Sequence, residues 1–383
     1  MKNKKGKKKS TQAQKNKQRK AQAKGVEKVS HKKQTTPQRK PNQNNLLSTG
    51  STMLNLALTD KTIGGFLKGK YYFMVGDSTS GKTFLSMTCF AEASINPNFD
   101  DYRFIYDNVE DGCLMDIPRL FGKGVAQRIE GPTGTKKNPG YSYTIEEFYY
   151  NLDDALDIGV PFIYVLDSMD SLSSEAEGKK FQEQKEAFQQ GKKTEGSYGD
   201  GKAKKNSESL RKILGRIGKN GSILIILCQT RDDLGFGFSK KTRSGGRALK
   251  FYATCEIWSS VIQTLKKTVK GKARKIGVRA QLETKKNRIT GKLKTVGVDI
   301  FPSYGMDDIG SCVDYLIEEK YWKKTAKGIR CPEVRIQGTR EKIIAGIEAK
   351  GLQDKLKEAC QTCWMEIEDA CSLKRKNKYV DIS

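Results

Sequence analysis

The sequence predicts an α/β protein: a mixed sheet, parallel first and antiparallel later, flanked by helices, with a disordered basic N-terminus and a small C-terminal helical appendage. Three observations carry this. Short apolar runs alternate with helical runs between Leu46 and Ala253, the pattern of right-handed strand-helix-strand crossovers in a parallel sheet. The first core strand, Tyr71-Tyr-Phe-Met-Val75, leads into Gly76-Asp-Ser-Thr-Ser-Gly-Lys-Thr83, which has the G-x-x-x-x-G-K-[ST] spacing of a phosphate-binding loop. After Ala253 the strand-like runs lengthen and are separated by basic turns, as antiparallel hairpins are.

Composition narrows the class. The 383 residues include 71 Lys and Arg against 44 Asp and Glu, a net charge of +27, and residues 1–40 hold 16 of those cations against a single acid, Glu27. Both the tail and the body are therefore basic, which favours a polyanionic partner. No run is long and apolar enough to span a membrane, and the N-terminus lacks the apolar core of a signal peptide. Nine scattered cysteines, several inside apolar runs, suit reduced thiols in a cytoplasmic protein. Cys360-Gln-Thr-Cys363 is a lone CxxC, a weak zinc signal without a second pair.

The chain divides by composition into a tail at 1–45, a core at 46–325 and an appendage at 326–383. The tail is Lys, Gln and Asn with almost no apolar content, too little to offset the entropy of ordering, so it is expected to be a disordered arm for nucleic acid or a solubilising tail. Ser48 to Leu58 reads as a capped helix, and Phe84 to Ala93 as the helix after the phosphate loop. Arg103 to Tyr106 is a strand ending in Asp107-Asn-Val-Glu110-Asp111, and Tyr143 to Leu156 a helix. Phe162 to Leu166 is a strand closed by Asp167 and Ser168. A polar insertion, Glu175 to Asn206, precedes a helix from Ser207 and the strand Ser222 to Leu227. Strands at Thr254 to Leu265, Ile276 to Thr284 and Thr295 to Phe301 follow, then helical spacing beyond Asp307. Trp322 and Trp364 lie among helix-spaced apolar residues and read as core.

The polar residues at strand ends carry the chemistry. Gly76, Asp77, Ser78, Thr79, Ser80 and Gly81 can turn backbone N–H groups toward phosphate oxygens at the start of a helix. Lys82 adds a charge for the β and γ phosphates of ATP, and the Thr83 hydroxyl can ligate Mg²⁺. Asp167 follows an apolar strand, as a second holder of Mg²⁺ would, though a helix-capping Asp is the plainer alternative. Glu110, with Asp107 behind it, is the candidate to orient the attacking water. Gln229 ends another strand, where an amide could sense the γ-phosphate. Beyond it, Arg231 to Arg247 is Gly-rich and basic with two spaced aromatics. Its Arg231, Phe236, Phe238, Arg243, Gly245, Gly246 and Arg247 could grip phosphates and wedge between bases. Lys202, Lys204 and Lys205 close a second basic loop.

At this point a family resemblance appears. Cys228-Gln-Thr-Arg-Asp-Asp-Leu-Gly-Phe-Gly-Phe238, followed by Arg243-Ser-Gly-Gly-Arg-Ala-Leu-Lys-Phe-Tyr-Ala253, is similar to the stretch of bacterial RecA recombinases that spans the second DNA-binding loop. Ser48-Thr-Gly-Ser-Thr-Met-Leu-Asn-Leu-Ala57 with Gly64-Gly65 resembles that family's lead-in to its phosphate loop. Lys286-Asn-Arg288 resembles its Lys-Asn-Lys, with Arg in place of the second Lys. The resemblance covers about residues 46–325. It implies a RecA-like core and a DNA-dependent ATPase that binds single-stranded and double-stranded DNA as a homo-oligomeric filament, a ring being the other arrangement, and promotes strand exchange. It further implies that Gln229 is the switch glutamine, Glu110 the catalytic glutamate, and Lys202 to Lys205 part of the first DNA loop. Lys286 and Arg288 would reach the ATP of a neighbouring protomer. The family's strand end is usually Asp-x-Glu, so both Asp107 and Glu110 stand as candidates for the carboxylate. Ahead of Leu46 there is no helix-plus-strand segment of the kind the family uses to bind a neighbour. A RecA-fold helicase-type motor and a non-catalytic ATP-binding mediator remain as alternatives.

Overall fold

The computed structural model describes residues 42–133, 140–192, 201–233, 240–243 and 246–375. The predicted disordered tail lies outside the described residues up to position 41. Among the described residues one ten-stranded sheet organises the core. From one edge its strands run Gly305–Asp307, Thr295–Phe301, Lys272–Asn287, Cys255–Val269, Tyr71–Gly76, Ile223–Asp233, Phe162–Asp167, Arg103–Asn108 and Ile129–Glu130, with Lys240–Arg243 paired to Ile223–Asp233 off this path. Every pair from Cys255–Val269 to Ile129–Glu130 is parallel, and those on the other side are antiparallel. The predicted mixed sheet is thus observed, with its change of direction beside the phosphate-loop strand.

The parallel strands are apolar throughout because both faces are covered. Tyr72 and Met74 join one buried cluster and Tyr71, Phe73 and Val75 the other. The first cluster is covered by helices Thr52–Thr59, Lys82–Ser94, Asp308–Glu318 and Gln353–Cys371, the second by Ile145–Asp157 and Gly201–Asn220. Caps fix where several begin. Ser51 accepts from Leu54 N at 3.2 Å, and Thr144 with Glu147 forms a capping box, contacts of about 1 kcal/mol each.

Register brings the site together. Gly76 lies opposite Gln229 on one side and Ser259 on the other, and Asn108 opposite Asp167. The carboxyl ends of four parallel strands therefore share one level, where such sheets bind ligands.

Three regions differ from the sequence reading. The polar insertion contains a helix, Glu175–Gln189, with a Ser174/Glu177 capping box and no buried residue. Its two large apolar residues, Phe181 and Phe188, are exposed, too few to set a periodicity among helix-forming Ala, Glu, Lys and Gln. The strand after Ser222 continues to Asp233 and pairs antiparallel with Lys240–Arg243, so the predicted Gly-rich loop is partly a hairpin. The C-terminal region opens with a three-stranded sheet, Lys323–Thr325, Gly328–Cys331 and Ile336–Gly338, before helices Arg340–Ala349 and Gln353–Cys371. Trp322, Ile347, Cys360 and Trp364 belong to the same buried cluster as Leu54 and Leu58. Asp60 accepts from Trp364 Nε1 at 3.0 Å, and its carbonyl accepts from Gln361 Nε2 at 2.8 Å.

The hairpin of Cys255–Val269 and Lys272–Asn287 outruns its neighbours. Tyr71–Gly76 pairs only with residues up to Ser259, and Thr295–Phe301 only from Val278 onward. The stretch between them is a two-stranded ribbon carrying Lys266, Lys267, Lys270, Lys272, Arg274 and Lys275.

Candidate functional site

The phosphate loop is shaped by close backbone packing. A Cβ on Gly76 would collide with the Ser259 carbonyl, and one on Gly81, at φ +90°, with Ile300. Ser80 Oγ is buried with no hydrogen-bond partner, a polar atom that a ligand could satisfy. Lys82 Nζ donates to the carbonyls of Gly76 and Asp77, both at 2.8 Å. Burial pulls the Lys82 ammonium below its usual pKa, and Asp167 and Glu110 push back toward the charged form.

Thr83 Oγ1 donates to Asp167 Oδ2 at 2.7 Å, and Tyr106 OH donates to the same oxygen at 2.8 Å. Burial raises the Asp167 pKa, while these two hydrogen bonds lower it. A hydroxyl and a carboxylate held together, both oxygen donors, suit a hard cation such as Mg²⁺ that keeps phosphate and water as its other ligands. Among the described residues there is no group of three His, Cys, Asp or Glu that could hold a metal unaided. Cys360 and Cys363 are buried in their helix as free thiols.

The two acidic candidates separate cleanly. Asp107 is fully buried and accepts from Ser142 N at 2.9 Å, Ser142 Oγ at 2.6 Å and Tyr164 OH at 2.8 Å. Its carboxylate is committed to tying the strand to the segment before helix Ile145–Asp157. Glu110 instead is exposed; its Oε1 accepts from Ser168 Oγ, from Ser171 Oγ at 3.0 Å and from Gln229 Nε2 at 3.0 Å. Gln229 N donates to Asp170 Oδ2 at 2.5 Å, and Thr230 Oγ1 donates to Asp77 Oδ1 in the phosphate loop. The sequence reading missed Tyr106, Ser168, Ser171, Asp170 and Thr230 as site residues. Tyr106 read only as the last residue of a strand, and the others become informative only when three strands are aligned.

The structure does not bring every predicted residue here. Lys286 and Arg288 lie at the other end of the sheet, where Lys286 pairs with Glu256 and Cys255 pairs with Tyr72. Lys286 Nζ donates to the carbonyls of Lys250 at 2.6 Å and Phe251 at 2.8 Å, and Arg288 donates to Phe251 O at 2.9 Å. Burial, then the neighbouring Arg288, pulls the Lys286 pKa down to about 8, with Glu256 acting the other way.

The DNA-loop candidates also need correction. Lys202, Lys204 and Lys205 sit within the first five residues of helix Gly201–Asn220 and not in a loop. Lys202 donates to Leu172 O at 2.7 Å and pairs with Glu177 at 3.2 Å, and Lys205 lies 3.9 Å from Glu146. Acidic neighbours in the folded chain thus recruit two of these lysines; Lys204 is exposed. Arg231 and Arg243 fall on the paired strands. Gly246, at φ +80° and packed against Ala203, opens helix Gly246–Tyr252, on which Arg247 is exposed. Phe236, Phe238 and Gly245 lie outside the described residues. No helix among the described residues is long and apolar enough to cross a membrane.

A cavity of about 830 Å³ adjoins the loop, lined by Thr79 to Phe84, Met115, Leu120, Lys275 to Val278, Ile300, Pro302 and Ser303. Its size and mixed lining fall in the range of small-ligand sites.

Comparison with known proteins identifies the family. The RecA N-terminal domain model matches residues 183–307. The chain is 30% identical to protein RecA of Synechocystis sp. over 291 residues, 74% of this chain and 70% of that protein. It is 29% identical to protein RecA of Cytophaga hutchinsonii over 278 residues, 71% and 68% of the two chains. Protein RecA of Crocosphaera subtropica is 30% identical over 277 residues, 70% and 68% of the two. The phosphate-loop core, the order of its strand-end residues and these relatives together place the chain in the RecA family.

Proposed function

We propose that the chain is a DNA-dependent ATPase that assembles as a filament on single-stranded DNA, pairs it with homologous duplex and exchanges strands. The observation that carries this reading is the bond from Gln229 Nε2 to Glu110 Oε1 at 3.0 Å. It joins the carboxylate suited to activating water to the strand that continues into the Arg231–Arg243 hairpin, so occupancy of the nucleotide site and the state of the hairpin share one contact.

The residues divide the work as follows. Lys82 exchanges its bonds to the Gly76 and Asp77 carbonyls for phosphate oxygens, and the buried Ser80 hydroxyl gains a partner. Thr83 and Asp167 would hold Mg²⁺, which would neutralise charge on the phosphates. Glu110, held by Ser168 and Ser171, accepts a proton from the attacking water. A γ-phosphate offers the Gln229 amide a second acceptor. Moving toward it loosens Gln229 from Glu110 and draws on the Thr230–Asp77 contact, which shifts the hairpin. Lys286 and Arg288, remote from their own loop, face the phosphates bound by a neighbouring subunit. The exposed Lys204 and Arg247, with the basic ribbon and tail, supply charge for DNA.

The test has two parts. DNA-stimulated phosphate release separates this reading from a non-catalytic ATP-binding mediator. Joint-molecule formation with homologous but not heterologous duplex separates it from a helicase-type motor. Phosphate release without homology-dependent joints would overturn the recombinase assignment.

A further inference from the structure

The cavity beside the phosphate loop has a second wall, supplied by the long hairpin. Lys275 pairs with Lys266 and Gly277 with Leu265, so Ile276 is an extra residue and the ladder slips there. Bulges of this kind re-aim side chains. This one is seated on the next strand: a Cβ on Gly277 would lie 2.6 Å from the Ile300 carbonyl and 2.8 Å from the Phe301 ring. Only Gly fits so close an approach. The result turns Lys275 and Ile276 to the cavity that also contains Lys82 and Thr83.

The lining has one chemical character. Its cations are Lys82 and Lys275, it includes no acid, and Phe84, Met115, Leu120, Ile276, Val278 and Ile300 make its apolar surface. Two cations and an apolar surface in one cavity fit a molecule that is polyanionic in one part and flat and apolar in another, which is the chemistry of a nucleoside triphosphate. Lys275 is exposed, and among the described residues its ammonium has no ion-pair partner.

We propose that Lys275 is a nucleotide-binding residue of the same chain, placing a cation on the phosphates from the wall opposite the loop. This rests on reading the loop as an ATP site. It assigns Lys275 at the base of the ribbon to nucleotide and leaves the ribbon's other cations, Lys266, Lys267, Lys270, Lys272 and Arg274, outside the cavity.

The test is calorimetric titration of ATP and ADP with Mg²⁺ into the full chain without DNA. Lys275→Ala is expected to weaken ATP binding about tenfold and to flatten its salt dependence, with a larger loss for Lys275→Glu and recovery in Lys275→Arg. An unchanged melting temperature verifies that these variants fold. Lys82→Ala is the control. If it loses ATP while Lys275→Ala and Lys275→Glu bind as wild type, Lys275 has no nucleotide role and the loop reading stands. Normal ATP binding in all three variants overturns both. Normal ATP binding in the Lys275 variants with weakened affinity for single-stranded DNA assigns Lys275 to the DNA surface and overturns the proposal.

Discussion

Lys82 is buried and Lys286 half-buried, and each donates to two backbone carbonyls, yet their surroundings are opposite. Lys82 stands near Asp167 and Glu110, which favour its charge against the cost of burial. Lys286 stands near Arg288 and Lys250, which add to that cost, with Glu256 as the opposing carboxylate. One end of the sheet has its counter-charges within the chain. The other holds two strong donors on helix carbonyls and would gain from an anion delivered from outside, such as a neighbour's triphosphate.

The largest effect expected from this comparison is at the loop end. Glu110→Gln should retain ATP binding and lower the rate of hydrolysis about 100-fold or more. Asp107→Asn should act on stability instead, through its contacts with Ser142 and Tyr164, costing about 1–3 kcal/mol. Single-turnover hydrolysis and thermal melting distinguish the two, and a catalytic loss at Asp107 with none at Glu110 would reverse the assignment.

Next in size, Lys286→Ala should bind ATP as wild type but lose cooperative, DNA-stimulated hydrolysis. Unchanged stimulated turnover in this variant would remove the corner formed by Lys286 and Arg288 from the active site.

The smallest effect is a proton. With its pKa lowered to about 8 from an ordinary 10.5, folded Lys286 releases a proton that the unfolded chain keeps. Its contribution to stability therefore rises with pH across that window, and its cost is fully present below about 8. Binding an anion raises the pKa, so assembly with ATP and DNA should take up protons near pH 8–9 and much less at pH 7. Assembly heats in buffers of different ionisation enthalpy would show the uptake, and its persistence in Lys286→Ala would assign it elsewhere.

Much of the loop end was legible in the sequence. A strand, a glycine-spaced loop, and Asp167, Glu110 and Gln229 at strand ends are local patterns, and the parallel sheet aligns them. What escaped reading was not local. Asp107 and Glu110 are both acids at one strand end, and tertiary partners such as Ser142 and Tyr164 distinguish them. Glu175–Gln189 carries no apolar stripe, and Lys202 and Lys205 looked free until Glu177 and Glu146 were brought beside them. The bulge that directs Lys275 into the cavity depends on the contact between Gly277 and Ile300, which no spacing rule would reveal.

The central claim is that each ATP lies between one subunit's Lys82 and the next subunit's Lys286. Mixing two inactive variants tests it most directly, with Lys82→Ala supplying an intact corner and Lys286→Ala an intact loop. The account predicts that DNA-stimulated ATP hydrolysis reappears in the mixture, at interfaces where the intact loop meets the intact corner. A mixture no more active than its two components added together would contradict it.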